Sequence, residues 1–262
     1  MNHLQSLVYD FDKIAEIAAD LSMHFGGVRT DDKKRRYSTY FLAKLVHNCV
    51  SLLKILPNSS EDKEYFDLSS IASLSRNIIE STNLCWYYCI EDVELEESSF
   101  RFLLFDYHDV CTTISLSESF DWKLDAEEEL KEEKLVLLEA IKNTSQYFNE
   151  GKAEQKKLRQ GRKASMCNQS ELIEARGVDC KEFKGIYKLL SNHVHTTPNA
   201  INSVVHSRSH GQEMDTVLCG LILTYACIFC AEMVRTIGDI WQMEFAKEES
   251  RQLIESYSKQ LF

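Results

Sequence analysis

The sequence predicts an all-α protein, a multi-helix bundle with long helices, and three observations carry that expectation. Only two prolines and nine glycines occur in 262 residues, and most of them separate apolar segments rather than interrupt them. A β protein of this length needs many more turn residues. Apolar residues recur at helical spacing, as in Phe183, Tyr187, Leu190 and Val194, which form one stripe at about 100° per residue. Capping residues and glycines stand where the periodic segments begin and end. With 44% apolar residues the chain has ample material for a core. A single helical domain over residues 1–262 is expected, with its core at about 40–240 and a less regular charged segment at 145–180.

A first helix is expected from His3 to Phe25, stopped by Gly26-Gly27. Asp31 or Asp32 caps a second, Lys33 to Leu56, closed by Pro57. After the linker Asn58-Ser59-Ser60, a third runs from about Lys63 to Ile90 and a fourth from Glu94 to Ser117. One long charged helix follows from Asp121 to Gln160, strongly acidic over Glu127 to Glu133, with Leu130, Val136, Leu137 and Ile141 inward. Residues 161–179 are irregular apart from a short helix at Ser170 to Ala175. A helix from about Lys181 is stopped by Pro198, and Thr196 to Gly211 forms a loop. Glu213 to Trp241 and a segment to about Lys259 complete the chain.

The net charge of −11 argues against broad binding to nucleic acid, since affinity for phosphate rests on Lys and Arg. Two basic runs stand out: Lys33-Lys34-Arg35-Arg36, and Lys152 to Lys163 with six positive residues against one Glu. Runs of this kind ordinarily form solvated helix faces. Of nine cysteines, Cys49, Cys85, Cys89, Cys219, Cys227 and Cys230 sit in apolar helical segments. There they pack as small hydrophobes, and a reducing cytoplasm is expected. The first residues lack a basic region followed by an apolar one, so no secretory signal is expected. The uncharged run Thr216 to Ala231 has sixteen residues, short for a membrane span, and reads as a buried helix.

Between Leu68 and Ile90 the only charges are Arg76 and Glu80, one turn apart. A helix apolar on nearly all sides is surrounded by protein, so the pair is expected in the interior, where charges must be paired. Ser69, Ser73, Asn83 and Tyr87 share its flank. The helix of the Phe183 stripe has a polar edge of its own. Ser191 and His195 lie on one flank and His193 on the other.

The two seams are expected to meet, which gathers Arg76, Glu80, Tyr187, Ser191 and His195. A carboxylate there would orient the imidazole, and Arg76 would face a phosphate or a developing anion. Ser191 would donate a hydrogen bond or act as a nucleophile. The competing expectation is a satisfied polar network that sets helix register.

A second candidate is Arg101-x6-His108, whose spacing puts both side chains at nearly one helical angle, two turns apart. An Arg for phosphate and a His for proton transfer suit cleavage of RNA through its own 2′-hydroxyl, a reaction that needs no metal. In a chain with this many arginines and histidines, chance also supplies such a pair. A metal site from His193, His195, His206 and His210 is disfavoured, because His206 and His210 fall in the expected loop. Cys227-x2-Cys230 has no second pair, and no HExxH, Gly-rich phosphate loop or Gly-x-Ser-x-Gly elbow is present.

At these residues the chain resembles a group of bacterial all-helical proteins of unknown function. Their marks are an Arg-x3-Glu on an early central helix and a Tyr-x3-Ser-x3-His on a late one, here Arg76-x3-Glu80 and Tyr187-x3-Ser191-x3-His195. The resemblance spans about residues 40–240. More remotely the group resembles the HEPN superfamily of helical bundles, marked by Arg-x4–6-His with a polar residue after the Arg. Arg101 to His108 has the spacing, but Phe102 follows the Arg. Arg76-Asn77 has the polar successor, but Ser81, Thr82 and Asn83 stand where the His would be.

The resemblance implies a HEPN-like core, a homodimer, and a metal-independent endoribonuclease. Such a protein would serve as a toxin-type effector in antiviral defence or a toxin–antitoxin system, with RNA as substrate and a partner protein in that system. His195 or His108 would be the acid or base, with Arg76 or Arg101 on phosphate. No cofactor and no membrane association are expected. The alternative is a non-catalytic interaction module whose polar network is structural and whose acidic helix at Glu127 to Glu133 faces a partner.

Overall fold

The ends of the helices are set by local chemistry that a computed structural model of the chain displays. It describes residues 3–56, 67–210, 213–243, 245 and 247–262, with the side chains of 207–210 outside the description. The expected Pro57 stop, the Asn58-Ser59-Ser60 linker, the helix start at Lys63, the loop end at Gly211 and the imidazole of His210 lie outside the described residues. The carboxylate of Asp32 accepts the Arg35 N–H at 3.3 Å and starts helix α2 (Lys33–Ile55). Asp67 does the same for α3 (Leu68–Cys85) through the Ser70 N–H at 3.1 Å. Asp179 starts α9 (Cys180–Val194) with bonds from the Lys181 and Glu182 N–H groups. Each satisfies N–H groups that have no partner within the helix.

The architecture is all-α, a multi-helix bundle, with no strand among the described residues. The chain groups into two compact units, residues 1–90 with 169–262, and residues 91–168. In the first unit α11 (Glu213–Trp241) is the axis. It packs against α1 (His3–Phe25), α2, α3 and α12 (Glu248–Ser258). Cys219, Ile222, Leu223, Ala226, Phe229, Val234 and Ile237 of α11 are fully buried, so a helix long and apolar enough to cross a bilayer spends most of that surface on its neighbours. The helix α3 lies between α2 and α11 and also packs against α8 (Gln169–Ala175) and α9. All nine cysteines are free thiols.

The second unit holds α4 (Leu95–Phe120), α5 (Glu127–Lys142), α6 (Ser145–Asn149) and α7 (Lys152–Arg159). Its core is Phe100, Leu104, Tyr107, Ile141, Tyr147 and Leu158. The expected single helix from Asp121 to Gln160 is three helices. The left-handed Asp121 ends α4, and the Thr144 hydroxyl accepts the Tyr147 N–H at 3.3 Å, restarting the chain as α6. That break turns Tyr147 inward and brings Leu158 onto the same core.

The expected loop at Thr196 to Gly211 is also helical. Pro198, read as a stop, is the first residue of α10 (Pro198–His210). A proline fits the first helical turn because its missing N–H would have no partner there. Thr197 accepts the Ala200 N–H at 3.3 Å and caps the new helix. The end of α9 therefore falls at Val194, with His195 in an extended conformation after it.

A charged network crosses the core of the first unit. Arg176, just after α8, and Glu232, on α11, have side chains only 1% and 4% exposed. The guanidinium donates to Asn83 Oδ1 of α3 at 2.5 Å and to Glu232 Oε1 at 3.4 Å, and it lies over the rings of Trp86 and Phe229. Arg235 donates to both oxygens of Glu232 at 3.1 Å. Breaking one side of a buried pair leaves an uncompensated charge. Glu232→Gln is expected to lose about 3–5 kcal/mol in urea unfolding. Adding Arg176→Met to that variant is expected to restore part of the loss; an additive pair would contradict the assignment.

Candidate functional site

The polar seams of α3 and α9 meet through one side chain. Arg76 Nε donates to Glu80 Oε1 at 2.7 Å, and Arg76 Nη2 donates to the Tyr187 hydroxyl at 2.9 Å. That hydroxyl in turn donates to Glu80 Oε1 at 2.5 Å. The guanidinium also lies over the Tyr187 ring, 4.8 Å from its centroid. Burial first, and the hydrogen bond to Glu80 second, push the Tyr187 phenol up to about 12, so it stays a donor at neutral pH.

Arg76 and Glu80 are not interior: their side chains are 25% and 30% exposed. The seam reaches the surface because α9, a short amphipathic helix, covers α3 along the Phe183–Ile186–Leu190 stripe and leaves the flank half open. The three groups satisfy one another, and two of the predicted five do not join them. Ser191 donates back to the Tyr187 carbonyl of its own helix at 2.8 Å. His195, exposed beyond the end of α9, lies eight residues past Tyr187, on the order of 12 Å along a helix. No hydrogen bond or ion pair among the described residues links its ring to Arg76 or Glu80.

In the second unit Arg101 and His108 both stand on α4, each held by partners of its own. Arg101, 8% exposed at its side chain, donates to Glu91 at 2.5 Å and to Glu97 at 2.7 Å. Two carboxylates neutralise it, which leaves it a strut between the start of α4 and the turn before it. His108 is held elsewhere on α4. Its Nδ1 lies 2.7 Å from the Gly161 carbonyl; a carbonyl only accepts, so Nδ1 carries the proton and Nε2 faces away with a lone pair when the ring is neutral.

The neighbouring Tyr107 hydroxyl donates to the Arg159 carbonyl at 2.7 Å, so residues 159–161, where α7 ends, are fastened to α4 twice. Gly161 has φ +62° and lies so close to α4 that a Cβ there would stand 2.5 Å from Cys111. Only glycine permits this carbonyl to reach the imidazole.

Among the described residues no three His, Cys, Asp or Glu side chains are placed to hold a metal. His193, on the flank opposite Ser191, is buried beside Asp215, which is also buried in the first turn of α11. Sequence reasoning missed Arg176 and Glu232 as a buried pair. The available signal was Glu232 itself, the first charge after the uncharged run of α11.

Fold and sites together define an all-helical protein with two surface polar clusters, one on the α3–α9 seam and one where α7 ends on α4. Residues 36–213 match DUF5677, a family of unknown function, and the chain belongs to that family. No curated protein and no solved structure matches it.

The buried imidazole generates a pH prediction. Burial lowers the His193 pKa while Asp215 pulls it upward, so the fold favours the neutral ring. Below the ordinary histidine value of about 6.5 the unfolded chain takes up the proton first. The His193 contribution is therefore full above that value and is lost as pH falls toward the lower folded one. Urea unfolding at about pH 7 and pH 5 should show a smaller pH-dependent loss in His193→Asn than in the parent.

Proposed function

We propose that the chain is a metal-independent ribonuclease whose proton-transfer group is His108. The observation that carries the reading is the backbone clamp on its imidazole. Nδ1–H is spent on the Gly161 carbonyl, which fixes the ring and makes Nε2 its basic nitrogen, and the arginines Arg159 and Arg162 flank the clamping turn in sequence. Arg101 takes no part, being neutralised by Glu91 and Glu97.

In the proposed reaction Nε2 takes the proton of a ribose 2′-hydroxyl, and the 2′-oxygen bonds to the adjacent phosphorus. The bond from phosphorus to the 5′-oxygen breaks, that oxygen takes a proton from water, and a 2′,3′-cyclic phosphate and a 5′-hydroxyl result. Charge that develops on the phosphoryl oxygens would be stabilised by the two guanidiniums. An effector role in defence, as the HEPN resemblance implies, accommodates such an activity. Incubation of purified protein with single-stranded RNA should yield cyclic-phosphate ends. His108→Ala is expected to lose 10²–10⁴-fold in rate, roughly the contribution of general acid–base catalysis, and His195→Ala to cleave normally. Equal cleavage by the parent and His108→Ala, or none by the parent, would remove the reading.

One observation favours a second reading, a non-catalytic interaction module. Two adjacent helices of the first unit carry exposed apolar side chains: Ile201, Val204 and Val205 on α10, and Met214, Val217 and Leu221 on α11, each 43–65% exposed. Met214, Val217 and Leu221 share one helical face, and contiguous apolar surface of this kind marks association sites. On this reading the stripe joins two copies of the chain, and the Arg76–Glu80–Tyr187 clamp sets the register of the helices behind it. Sedimentation should find a dimer that Val217→Asp converts to monomer; a parent that sediments as a monomer would dismiss it.

A further inference from the structure

The basic run at 152–163 was expected to be a solvated helix face, and the fold gives it more structure than that. Lys152, Lys156 and Arg159 are spaced i, i+4, i+7 and share one side of α7, about 10 Å long. Arg162 follows in the turn that clamps His108. Lys157 and Lys163 are held by Glu154 at 2.6 and 2.7 Å, which leaves Lys152, Lys156 and Arg162 without a carboxylate partner among the described residues. These cations stand exposed on a chain whose net charge is −11.

Beside them stands an aromatic ring in solvent. Phe148, at the end of α6, is 68% exposed, and its ring meets Tyr147 edge to face, with centroids 6.1 Å apart. Tyr147 is itself fixed: its hydroxyl accepts from Arg159 at 3.0 Å and its carbonyl from the Gln155 amide at 3.0 Å. Phe148 follows this anchored residue directly and stands four residues before Lys152, the first of the cations. A row of cations next to a free aromatic face is the arrangement that binds single strands, in which phosphates meet the charges and an unstacked base lies on the ring. A duplex offers its phosphates but no free base face, so Phe148 has no use on it.

We infer that α6 and α7 form a binding surface for single-stranded RNA, with Lys152, Lys156 and Arg162 on phosphates and Phe148 under a base. The inference rests on the ribonuclease reading and adds to it where the strand lies. The α7 face leads into the turn at Gly161, which delivers the strand to His108.

The test separates binding from cleavage by using a fluorescein-labelled 2′-O-methyl oligoribonucleotide, which cannot be cut through its 2′-oxygen. Anisotropy titrations over a salt series give the affinity and the slope of log K against log salt. The parent is expected to prefer this strand over the same sequence as a duplex. Lys152→Ala with Lys156→Ala should make the slope shallower by about 1.4, at about 0.7 per phosphate contact on a single strand. Phe148→Ala should weaken binding about ten-fold and Phe148→Tyr should restore it, since stacking needs only the ring.

No binding, equal binding by Phe148→Ala, a preference for duplex, or retention by anionic vesicles alone would each overturn the inference. A surface that binds the strand as expected while the parent leaves natural RNA uncut would sink the ribonuclease reading and leave the binding surface standing.

Discussion

The fold depends on one expensive contact, the ion pair of Arg176 with Glu232 in the core of the first unit. Burial first, and the nearby Arg235 charge after it, lower the Arg176 guanidinium to about 10 despite the opposing pull of Glu232. The charge persists because Asn83, Glu232 and two aromatic faces surround it. Asn83 donates in turn to Gln169 at 2.8 Å. The network therefore joins α3, the two ends of α8 and α11. Three residues after Arg176, Asp179 caps α9. The position of Tyr187, and with it the seam that holds Arg76 and Glu80, is inherited from a buried contact.

In the second unit, charges are placed to match the dipoles of two of its helices. Glu127, Glu128 and Glu129 stand in the first turn of α5, where they favour the positive end of the helix dipole. Lys156, Lys157 and Arg159 stand in the last turn of α7, at the negative end of its dipole. Both helices are stabilised by their own charges, and the cations are left turned to solvent. Two bonds from Tyr107 and His108 then fix the C-terminus of α7 on α4. A structural need, the capping of carbonyls that no helix bond satisfies, orients the imidazole.

What the amino-acid sequence determined by itself was whatever depends on neighbours a few residues away. The helical class, the bounds of α1 and α11, a cap at Asp31 or Asp32 (the structure uses Asp32) and the pairing of Arg76 with Glu80 all follow from periodicity and short-range bonds. Where two local readings compete, as at Pro198 or at Asn143-Thr144, the tertiary structure chose. Proline ends one helix and starts another by the same geometry, and burial of Tyr147 and Leu158 selects the broken form of the long charged segment.

The meeting of the α3 and α9 seams was legible in the sequence, but the other long-range pairs were decided only by tertiary structure. Tyr187 closes on Arg76 and Glu80 as the seams suggested, whereas Glu91 claims Arg101, the Gly161 carbonyl claims His108, and Arg176 finds Glu232. A charged side chain carries no mark of its eventual partner, because that choice depends on which helices become neighbours. Apolar burial makes them neighbours, and apolar stripes look alike from one helix to the next.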